Sequence, residues 1–497
     1  MDIKDILTHC DGLTQAKLIR DKQITIKELC TAAIERIEAI NPEINAVIVK
    51  TFERALVDSE NIKDGIFAGV PFLLKDLLCY EEDIPYSMGC KGMKGFIARG
   101  TTELLKRFKK TGVIILGRTN VPEFGLVATT EPEAFGPTLN PYGLEYSPGG
   151  SSGGSAAAIA AGFVPIASGN DGGGSIRIPA SNCNLFGLKP SRGRNPTGPD
   201  MGELWCGAAV EHILSRSVAD SAAMLDATSY RDEGAPYIIE SVGKPYLKAY
   251  EKPLKGLKIA FYTKTILNSP VSQANIQAVG KMVNLLGDSG FIVEENFPKV
   301  DGVELARSFF TVLLAEVSFD ITSLSYLRHR KIKSEDVETL TWFLSHVGKY
   351  VSANELLAAK RVWEKTGRIF GNFHKNYDLI LTPTLAFPPP KLGVLIPNKK
   401  DDFIMQVLSI FKLTRFLKNS NYLLKKFFDT LSYTPFTFLA NVTGAPAMNI
   451  PVSFDEGLPV GVQFIAPFGR EDMLFNLAYR LEKIINWQEA GKKYLKV

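Results

Sequence analysis

Hydrophobic positions along the chain recur with two different periods, and together they predict alternating helices and strands. Residues 1–40 have apolar residues at helical spacing, and Thr25 three residues before Glu28 is typical of a helix N-terminus. We expect this helix to end at Asn41-Pro42. Short apolar runs predict strands at 70–74, 113–116, 163–167, 257–261 and 379–381, and helical patterns lie at 101–110 and 271–289.

This alternation of strands and helices favours an α/β layered fold with a mixed or parallel sheet. One segment differs from the rest. Residues 403–430 are rich in Phe, Leu and Lys with few acids, a pattern that fits one or two basic amphipathic helices.

Composition and charge exclude several classes of protein. The chain has 497 residues, 45% of them hydrophobic and 22% charged, with a formal net charge of +4. So small a charge gives no support for a nucleic-acid partner. The N-terminus lacks the apolar region of a secretory signal, and we expect no membrane-spanning helix. The six cysteines form no CxxC pair, so we expect reduced thiols in a cytoplasmic protein that holds neither metal nor cofactor.

The candidate chemistry lies in residues 147–177, where Ser151 and Ser175 each stand in a glycine-rich turn. Ser175 follows a predicted strand and the three glycines 172–174, and a helix is expected to begin after it. Such a junction points free backbone amides at one spot, where they can hold an oxyanion. The alternative is a glycine turn with a serine that caps a helix.

A serine nucleophile also needs a base. The pattern G-x-S-x-G occurs around Ser151 and again around Ser152, but the residues before it read as loop, whereas an α/β-hydrolase elbow needs a strand there. No candidate histidine stands in a supporting motif. Lysine can replace histidine once desolvation lowers its pKa, and Lys75 ends an apolar strand. A lysine at a strand end, taken alone, is typical of a solvated terminus.

Six motifs occur in one order along the chain, and together they resemble the amidase signature family over nearly its whole length. They are VPFLLKD at 70–76, PGGSSGGS at 148–155, DGGGSIR at 171–177, GLKP at 187–190, residues 441–446, and GLPVG at 457–461. The resemblance implies a single α/β domain over 1–497 with a large, mixed, mostly parallel, twisted sheet covered by helices on both faces. Its parts are an N-terminal helical region at 1–66, a core with the catalytic motifs at 67–220, and a helical lid or cap at 403–430.

The resemblance also implies a Ser–cis-Ser–Lys triad. Ser175 would be the nucleophile, Ser151 the bridging serine after a cis Gly150–Ser151 peptide, and Lys75 the base. An acyl-enzyme on Ser175 would then be hydrolysed by water.

Several further residues receive supporting roles from the same motifs. The backbone amides of Gly172, Gly173, Gly174 and Ser175 would form the oxyanion hole. Ser152, Asp171 and Arg177 would support the loops rather than do chemistry. Two positions depart from the family pattern. Gly172 stands where relatives often carry threonine or isoleucine, and Asn184 where glycine is common.

The sequence indicates the substrate less specifically than it indicates the reaction. Residues 196–216 resemble stand-alone bacterial amidases, including the aminohexanoate cyclic-dimer hydrolases, more than the A subunit of the tRNA-dependent amidotransferase. We therefore expect an amidase for a small or medium, apolar amide, active as a monomer or homodimer. Trp205 is a candidate for the acyl pocket, with a buried structural role as its alternative. The amidotransferase subunit and a non-catalytic binding protein remain the other hypotheses for the chain.

The segment 403–430 occupies the place of the membrane cap in fatty acid amide hydrolase. We favour a lid packed on the protein core over a segment that touches a membrane.

Overall fold

The computed structural model describes residues 2–61, 64–240, 243, 245–252, 254, 256–411, 413–418 and 420–497. Residues 62 and 63 of the N-terminal region, and 412 and 419 of the 403–430 segment, lie outside the described residues. The strands are β1 (Val47–Lys50), β2 (Pro71–Lys75), β3 (Ile114–Thr119), β4 (Ile166–Asp171), β5 (Phe186–Lys189), β6 (Val210–Ser215), β7 (Lys258–Phe261), β8 (Ile292–Glu295), β9 (Leu379–Pro383), β10 (Ala447–Asp455) and β11 (Leu458–Ile465).

Helices connect these strands. They are α1 (Ile3–His9), α2 (Gly12–Arg20), α3 (Ile26–Ile44), α4 (Phe52–Asn61), α5 (Glu103–Lys110), α6 (Gly153–Ala160), α7 (Arg177–Asn182), α8 (Val218–Thr228), α9 (Gln273–Asp288), α10 (Gly302–Leu327), α11 (Thr339–Gly348), α12 (Ala353–Phe373), α13 (Lys399–Ile410), α14 (Asn421–Leu431), α15 (Phe438–Thr443), α16 (Glu471–Ile485) and α17 (Trp487–Lys492). Short 3₁₀ turns lie at Lys91–Met93, Glu123–Gly125, Trp205–Gly207, Tyr246–Glu251, Ser334–Asp336 and Leu413–Phe416.

The strands form one mixed sheet, in the order β1-β3-β2-β4-β6-β5-β10-β11-β9-β7-β8. The expectation of a mostly parallel sheet is wrong, because six of the ten strand pairings within the described residues are antiparallel. The parallel pairs lie in two groups, β3-β2-β4 and β9-β7-β8. The strands between them include the β10–β11 hairpin, whose two-residue turn joins neighbouring strands directly and so makes them antiparallel.

Helices cover both faces of the sheet. In β2, Leu73 packs into the cluster that contains residues of α3 and α6, whereas its neighbours Phe72 and Leu74 pack with residues of α5 and α8. Successive side chains of a strand point to opposite faces, so this division places a helical layer on each side. Lys75 ends β2 between these layers and is removed from water.

The predicted N-terminal helix differs at its end. The capping box between Thr25 and Glu28 is present, but α3 continues through Pro42 to Ile44. Proline is tolerated because it lies in the last turn, where one lost backbone hydrogen bond is the main cost. The helix ends instead at Asn45, which adopts the left-handed conformation.

The strand predicted at 163–167 begins later and ends later, as β4 at Ile166–Asp171. The Phe163 amide closes the turn after α6 by donating to the Ala158 carbonyl, so this apolar residue belongs to the turn rather than the strand. The polar residues up to Asp171 join the strand because β6 supplies their backbone hydrogen-bond partners.

Helix α10 is the one helix of the described chain that is long and apolar enough to cross a membrane, judged by length and composition alone. Core helices of globular proteins pass the same test. Phe309 packs in a cluster with Trp363 of α12, and Phe310 packs with Phe343 of α11. Helix α10 thus packs against α11 and α12 within the protein.

The segment 403–430 forms helices α13 and α14 with a 3₁₀ turn between them. Met405 and Leu424 are buried in the cluster that holds α10 and α11 together. This packing supports the lid hypothesis. The outward side of the segment carries exposed apolar residues, among them Phe403, Ile410, Phe411 and Phe416.

Candidate active site

Lys75 is held at the end of β2 with its side chain wholly removed from water. Its Nζ donates to Ser151 Oγ at 2.7 Å and to Asn170 Oδ1 at 2.5 Å. Its backbone amide donates to Ser168 Oγ at 2.7 Å. Burial lowers the pKa of Lys75 well below its usual value, although the charge of Asp171 opposes this shift. The amine is therefore suited to accept a proton from the serine it contacts.

Ser151 approaches Lys75 from a tightly packed loop in which the Gly150–Ser151 peptide is cis, as the resemblance implied. Position 150 has no room for a side chain, because a Cβ there would lie 2.5 Å from the Thr129 carbonyl oxygen. The next residue, Ser152, joins the two serine loops, since its amide donates to the Ser175 carbonyl at 3.3 Å. Its hydroxyl donates to the Asn170 carbonyl at 3.3 Å.

Ser175 lies in the loop between β4 and α7 and is partly exposed, unlike Lys75 and Ser151. Its hydroxyl makes no hydrogen bond to Ser151, or to any other group, within the described residues. Among the three residues of the predicted triad, the structure shows one direct contact, from Lys75 to Ser151. Ser175 is brought beside this pair by the backbone bond to Ser152.

Of the four backbone amides expected to form an oxyanion hole, three could still bind an oxyanion. The Gly174 amide donates to Asp171 Oδ1 at 2.8 Å and is committed inside the loop. The amides of Gly172, Gly173 and Ser175 have no acceptor among the described residues. They remain available to a ligand at the loop.

Asp171 and Arg177 hold the shape of this loop. The Arg177 guanidinium donates Nε to Asp171 Oδ2 at 2.9 Å and Nη2 to Oδ1 at 2.8 Å, and both side chains are fully buried. The Ile176 amide adds a bond to Asp171 Oδ2 at 3.2 Å. Burial alone would raise the pKa of Asp171, but the Arg177 charge and hydrogen bonds outweigh it and hold the pKa at about 2.

The C-terminal part of the chain completes the support of the loop. Asn441 Nδ2 donates to the Asp171 carbonyl at 2.9 Å, and Thr437 Oγ1 donates to the Gly173 carbonyl at 2.6 Å. Arg177 Nη1 donates to Gln463 Oε1 of β11. The nucleophile loop is thus fixed by residues more than 250 positions away along the chain.

Aromatic side chains border the loop. Trp205, which was assigned to the substrate pocket, is partly exposed and lies against Gly172, where a Cβ would come within 3.2 Å of its ring. A Cβ at Gly173 would meet the Phe309 ring at 3.3 Å. Phe309 in turn neighbours Phe427 of the 403–430 segment, with ring centroids 6.4 Å apart. These contacts place the lid segment close to the nucleophile loop.

The departure at Asn184 has a structural explanation. The residue adopts a positive φ of 56°, a conformation that favours glycine and that asparagine tolerates. Its Nδ2 also donates to the Trp487 carbonyl at 2.8 Å. Asn184 therefore fits a backbone conformation that favours glycine.

Two residues that contact Lys75 were not predicted as part of the site. Ser168 and Asn170 lie in β4, whose polar residues interrupted the apolar run used to predict the strand. A polar pair at alternate positions just before the glycine turn was the available sign. No group of three or more His, Cys, Asp or Glu side chains stands ready to hold a metal in the described parts of the chain.

Comparison with known proteins settles the family. A family model described as Amidase matches residues 28–475. The chain belongs to the amidase signature family. It is 34% identical over 485 residues to a 6-aminohexanoate-cyclic-dimer hydrolase of Paenarthrobacter ureafaciens, covering 96% of this chain and 95% of the relative. It is 33% identical over 475 residues to a lipoamidase of Enterococcus faecalis, covering 95% of this chain and 63% of that protein.

A solved structure agrees with this assignment. The structure of a 6-aminohexanoate cyclic dimer hydrolase complexed with substrate superposes with a TM-score of 0.90 at 33% identity, covering 100% of both chains. This amidase is therefore an amide hydrolase with the family's α/β fold, and the structural similarity extends over its full length.

Proposed function

We propose that the protein hydrolyses a small or medium, apolar amide through an acyl-enzyme on Ser175. The observation that carries the proposal is the 2.7 Å hydrogen bond between Lys75 Nζ and Ser151 Oγ. Because burial disfavours the ammonium form of Lys75, this contact supplies a base next to a hydroxyl relay. The adjoining Ser175 loop supplies the nucleophile and the amide donors.

Acylation begins when Lys75 takes the Ser151 proton and Ser151 takes the Ser175 proton. Ser175 Oγ then forms a bond to the substrate carbonyl carbon, and the carbonyl electron pair moves to oxygen. The amides of Gly172, Gly173 and Ser175 stabilise that charge, where each donor contributes roughly 3 kcal/mol. Collapse of the intermediate breaks the C–N bond, and the relay returns the proton to the leaving amine.

Deacylation reverses the roles of the relay. Water attacks the ester carbonyl of the acyl-enzyme, and its proton passes through Ser151 to Lys75. The C–O bond to Ser175 breaks, Ser175 regains a proton, and the carboxylic acid leaves. The amide is thus divided into an amine and an acid, with the protein restored and no co-reactant other than water.

The aromatic border of the loop supports an apolar acyl group. Trp205 and Phe309 approach the backbone of Gly172 and Gly173, in the same loop as the Ser175 hydroxyl that would carry the acyl group. Since one relative is named a cyclic-dimer hydrolase and another a lipoamidase, medium-length acyl amides are the first candidates. We propose a small-molecule substrate, a cytoplasmic location, and action as a monomer or homodimer.

The test is hydrolysis of an amide panel by wild type and Ser175→Ala. The panel holds a short primary amide, an anilide, 6-aminohexanoate cyclic dimer and a long-chain acyl amide. We expect turnover of the medium-length amides by wild type and its loss in Ser175→Ala. The matched control is Ser334→Ala, an exposed serine in a distant turn, which keeps full turnover. Turnover retained by Ser175→Ala, or no turnover by folded wild type, contradicts the proposal.

A further inference from the structure

Glu211 of β6 carries a buried carboxyl group that the mechanism above does not use. The residue is 6% exposed, and its side chain has no hydrogen-bond partner among the residues that the structure describes. Its backbone carbonyl accepts a hydrogen bond from Asn195 Nδ2 at 2.8 Å. An ionised carboxylate in such a place needs a nearby opposite charge.

The strand register places Glu211 beside Asn170, the residue that binds the Lys75 amine. Glu211 lies directly opposite Asn170 in the antiparallel β4–β6 pair. Directly opposed residues of such a pair project from the same face. The Asn170 side chain accepts the hydrogen bond from Lys75 Nζ, so Asn170 links the position of Glu211 to the Lys75 amine.

Burial and charge agree with this placement. Burial raises the pKa of Glu211 to about 8, and the Lys75 charge opposes the shift. In return, Glu211 is one of two carboxyl groups that raise the pKa of Lys75 against the larger effect of burial. The charge of each group therefore affects the pKa of the other.

We propose that Glu211 is a positioning residue for the Lys75 base, whose ionised carboxylate stabilises the ammonium that forms as Lys75 takes the proton from Ser151. This rests on the proposed function, in which Lys75 is the base. The neutral carboxyl gives no such stabilisation. As the pH rises through the range in which Glu211 loses its proton to solvent, acylation becomes faster.

Three other titratable groups near Glu211 stay uncharged and therefore do not produce this pH dependence. Burial raises the pKa of Cys79 and of Tyr86, both of which sense the Glu211 charge, so each stays uncharged up to about pH 9. The neighbouring His212 belongs to the opposite face, where its Nε2 lies 2.9 Å from Ser221 Oγ. Burial lowers the pKa of His212 to about 3, so it also stays neutral.

The other charged groups near Lys75 are the same in wild type and in the Glu211 variants. Asp171 keeps its charge because its pKa is about 2. Burial raises the pKa of Asp76 to about 6 against the Arg118 charge, and burial lowers the pKa of Lys189 to about 7. Since these groups titrate alike in both proteins, their contributions cancel in a ratio of rates.

The test compares kcat of wild type, Glu211→Gln and Glu211→Asp between about pH 6.5 and pH 9.5 on one anilide. We expect the ratio of Glu211→Gln to wild type to fall about tenfold over this range, equivalent to one pKa unit of interaction. Glu211→Asp restores an ionisable carboxyl and keeps its ratio within about twofold across the range. Thermal melts at each pH confirm that all forms are folded.

Two results overturn the inference. One is a Glu211→Gln ratio that is reduced equally at every pH, as a purely structural role requires. The other is a Glu211→Asp variant that behaves like Glu211→Gln. Glu335→Gln, an exposed acid far from the base, is the control and keeps a flat ratio. Loss of turnover in Ser175→Ala with a flat Glu211→Gln ratio refutes this inference alone, whereas turnover in Ser175→Ala refutes the proposed function.

Discussion

The Trp205 ring lies flush against the backbone of Gly172, so closely that a Cβ at position 172 would sit 3.2 Å from its Cε3 atom. Gly172 does not have a positive φ, so the glycine provides space here rather than backbone freedom. The departure from the threonine or isoleucine of relatives is thereby explained. A small residue at 172 lets an aromatic wall stand directly beside the candidate oxyanion donors.

A larger side chain at position 172 should displace the Trp205 ring. In Gly172→Ala the new methyl group needs only a few tenths of an ångström of adjustment, whereas Gly172→Thr must displace the Trp205 ring. We expect a loss in kcat/KM of about tenfold for Thr on medium-length amides and a much smaller loss for Ala. Tryptophan fluorescence reports the displaced ring. Equal kinetics and equal emission for Thr and Ala would show that the contact is unimportant.

Replacing the base with a permanent cation should abolish catalysis. Lys75→Arg keeps a positive charge near Ser151, but guanidinium does not deprotonate in proteins and cannot accept a proton. We expect kcat to fall by about 10²–10⁴-fold, the range typical of a lost general base. Steady-state hydrolysis of an anilide measures it, with Lys110→Arg, an exposed lysine, as the matched control. Substantial activity in Lys75→Arg would remove lysine from the mechanism.

A charge placed at Asn170 should shift the pH profile. Asn170→Asp sets a carboxylate where Oδ1 now accepts from Lys75 Nζ at 2.5 Å. An opposite charge favours the ammonium form, so the pKa of Lys75 rises. Activity that requires neutral Lys75 then appears only at higher pH, and the acid limb of kcat/KM moves upward.

Asn170→Ala is the comparison, because it removes the acceptor without adding charge. It should lower kcat/KM while leaving the acid limb where it was or moving it to lower pH. An unmoved acid limb in Asn170→Asp would mean that another group controls the profile.

The Asp171–Arg177 pair should make stability depend on acid. The folded pKa of about 2 lies below the ordinary 3.8, so the contribution of Asp171 is complete above pH 3.8 and is lost as the pH falls through 2. That difference corresponds to about 2 kcal/mol. Asp171→Asn leaves the Arg177 charge buried without its carboxylate and should lower the free energy of unfolding at neutral pH by about 3–5 kcal/mol.

Urea unfolding followed by circular dichroism measures this loss. The difference between wild type and Asp171→Asn should shrink as the pH is lowered towards 2. Asp232→Asn, a surface acid in a loop, provides the control. Wild type and Asp171→Asn with the same stability at pH 7 would argue that the pair holds no more than local geometry.

The lid hypothesis for residues 403–430 makes a prediction about lipid surfaces. Phe411 and Phe416 are about two-thirds exposed, so replacing both with serine alters the outer surface while sparing the packed side. If the segment is a lid, wild type and Phe411→Ser/Phe416→Ser should sediment equally with anionic vesicles. Weaker sedimentation of the double variant would instead favour membrane contact.

Much of the site followed from local sequence patterns. The motifs around Lys75, Ser151 and Ser175 bring the first two into direct contact, and a backbone bond from Ser152 joins the loop of the third to them. Glycine turns and apolar strand ends are local features, so sequence spacing is enough to locate them. The proportion of parallel strand pairs was mispredicted. The direction of each pair depends on which distant strands become neighbours, and an apolar run does not encode that.

Contacts between distant segments were also beyond the sequence. Asn170 was passed over because polar side chains inside a strand look unfavourable until their buried partner, Lys75, is known. Glu211 was missed for the same reason, since only the register opposite Asn170 relates it to the base. The commitment of the Gly174 amide to Asp171 likewise depends on the folded loop.

The long reach of the loop's supports has a consequence for how the enzyme comes into being. Arg177 and Gly173 are anchored by Gln463 and Thr437, which a ribosome makes hundreds of residues later. A nascent chain that already carries Lys75, Ser151 and Ser175 still lacks these anchors. The loop of Ser175 can take its final shape only after residues 437–463 have been synthesised, so we expect no amide cleavage by shorter nascent chains.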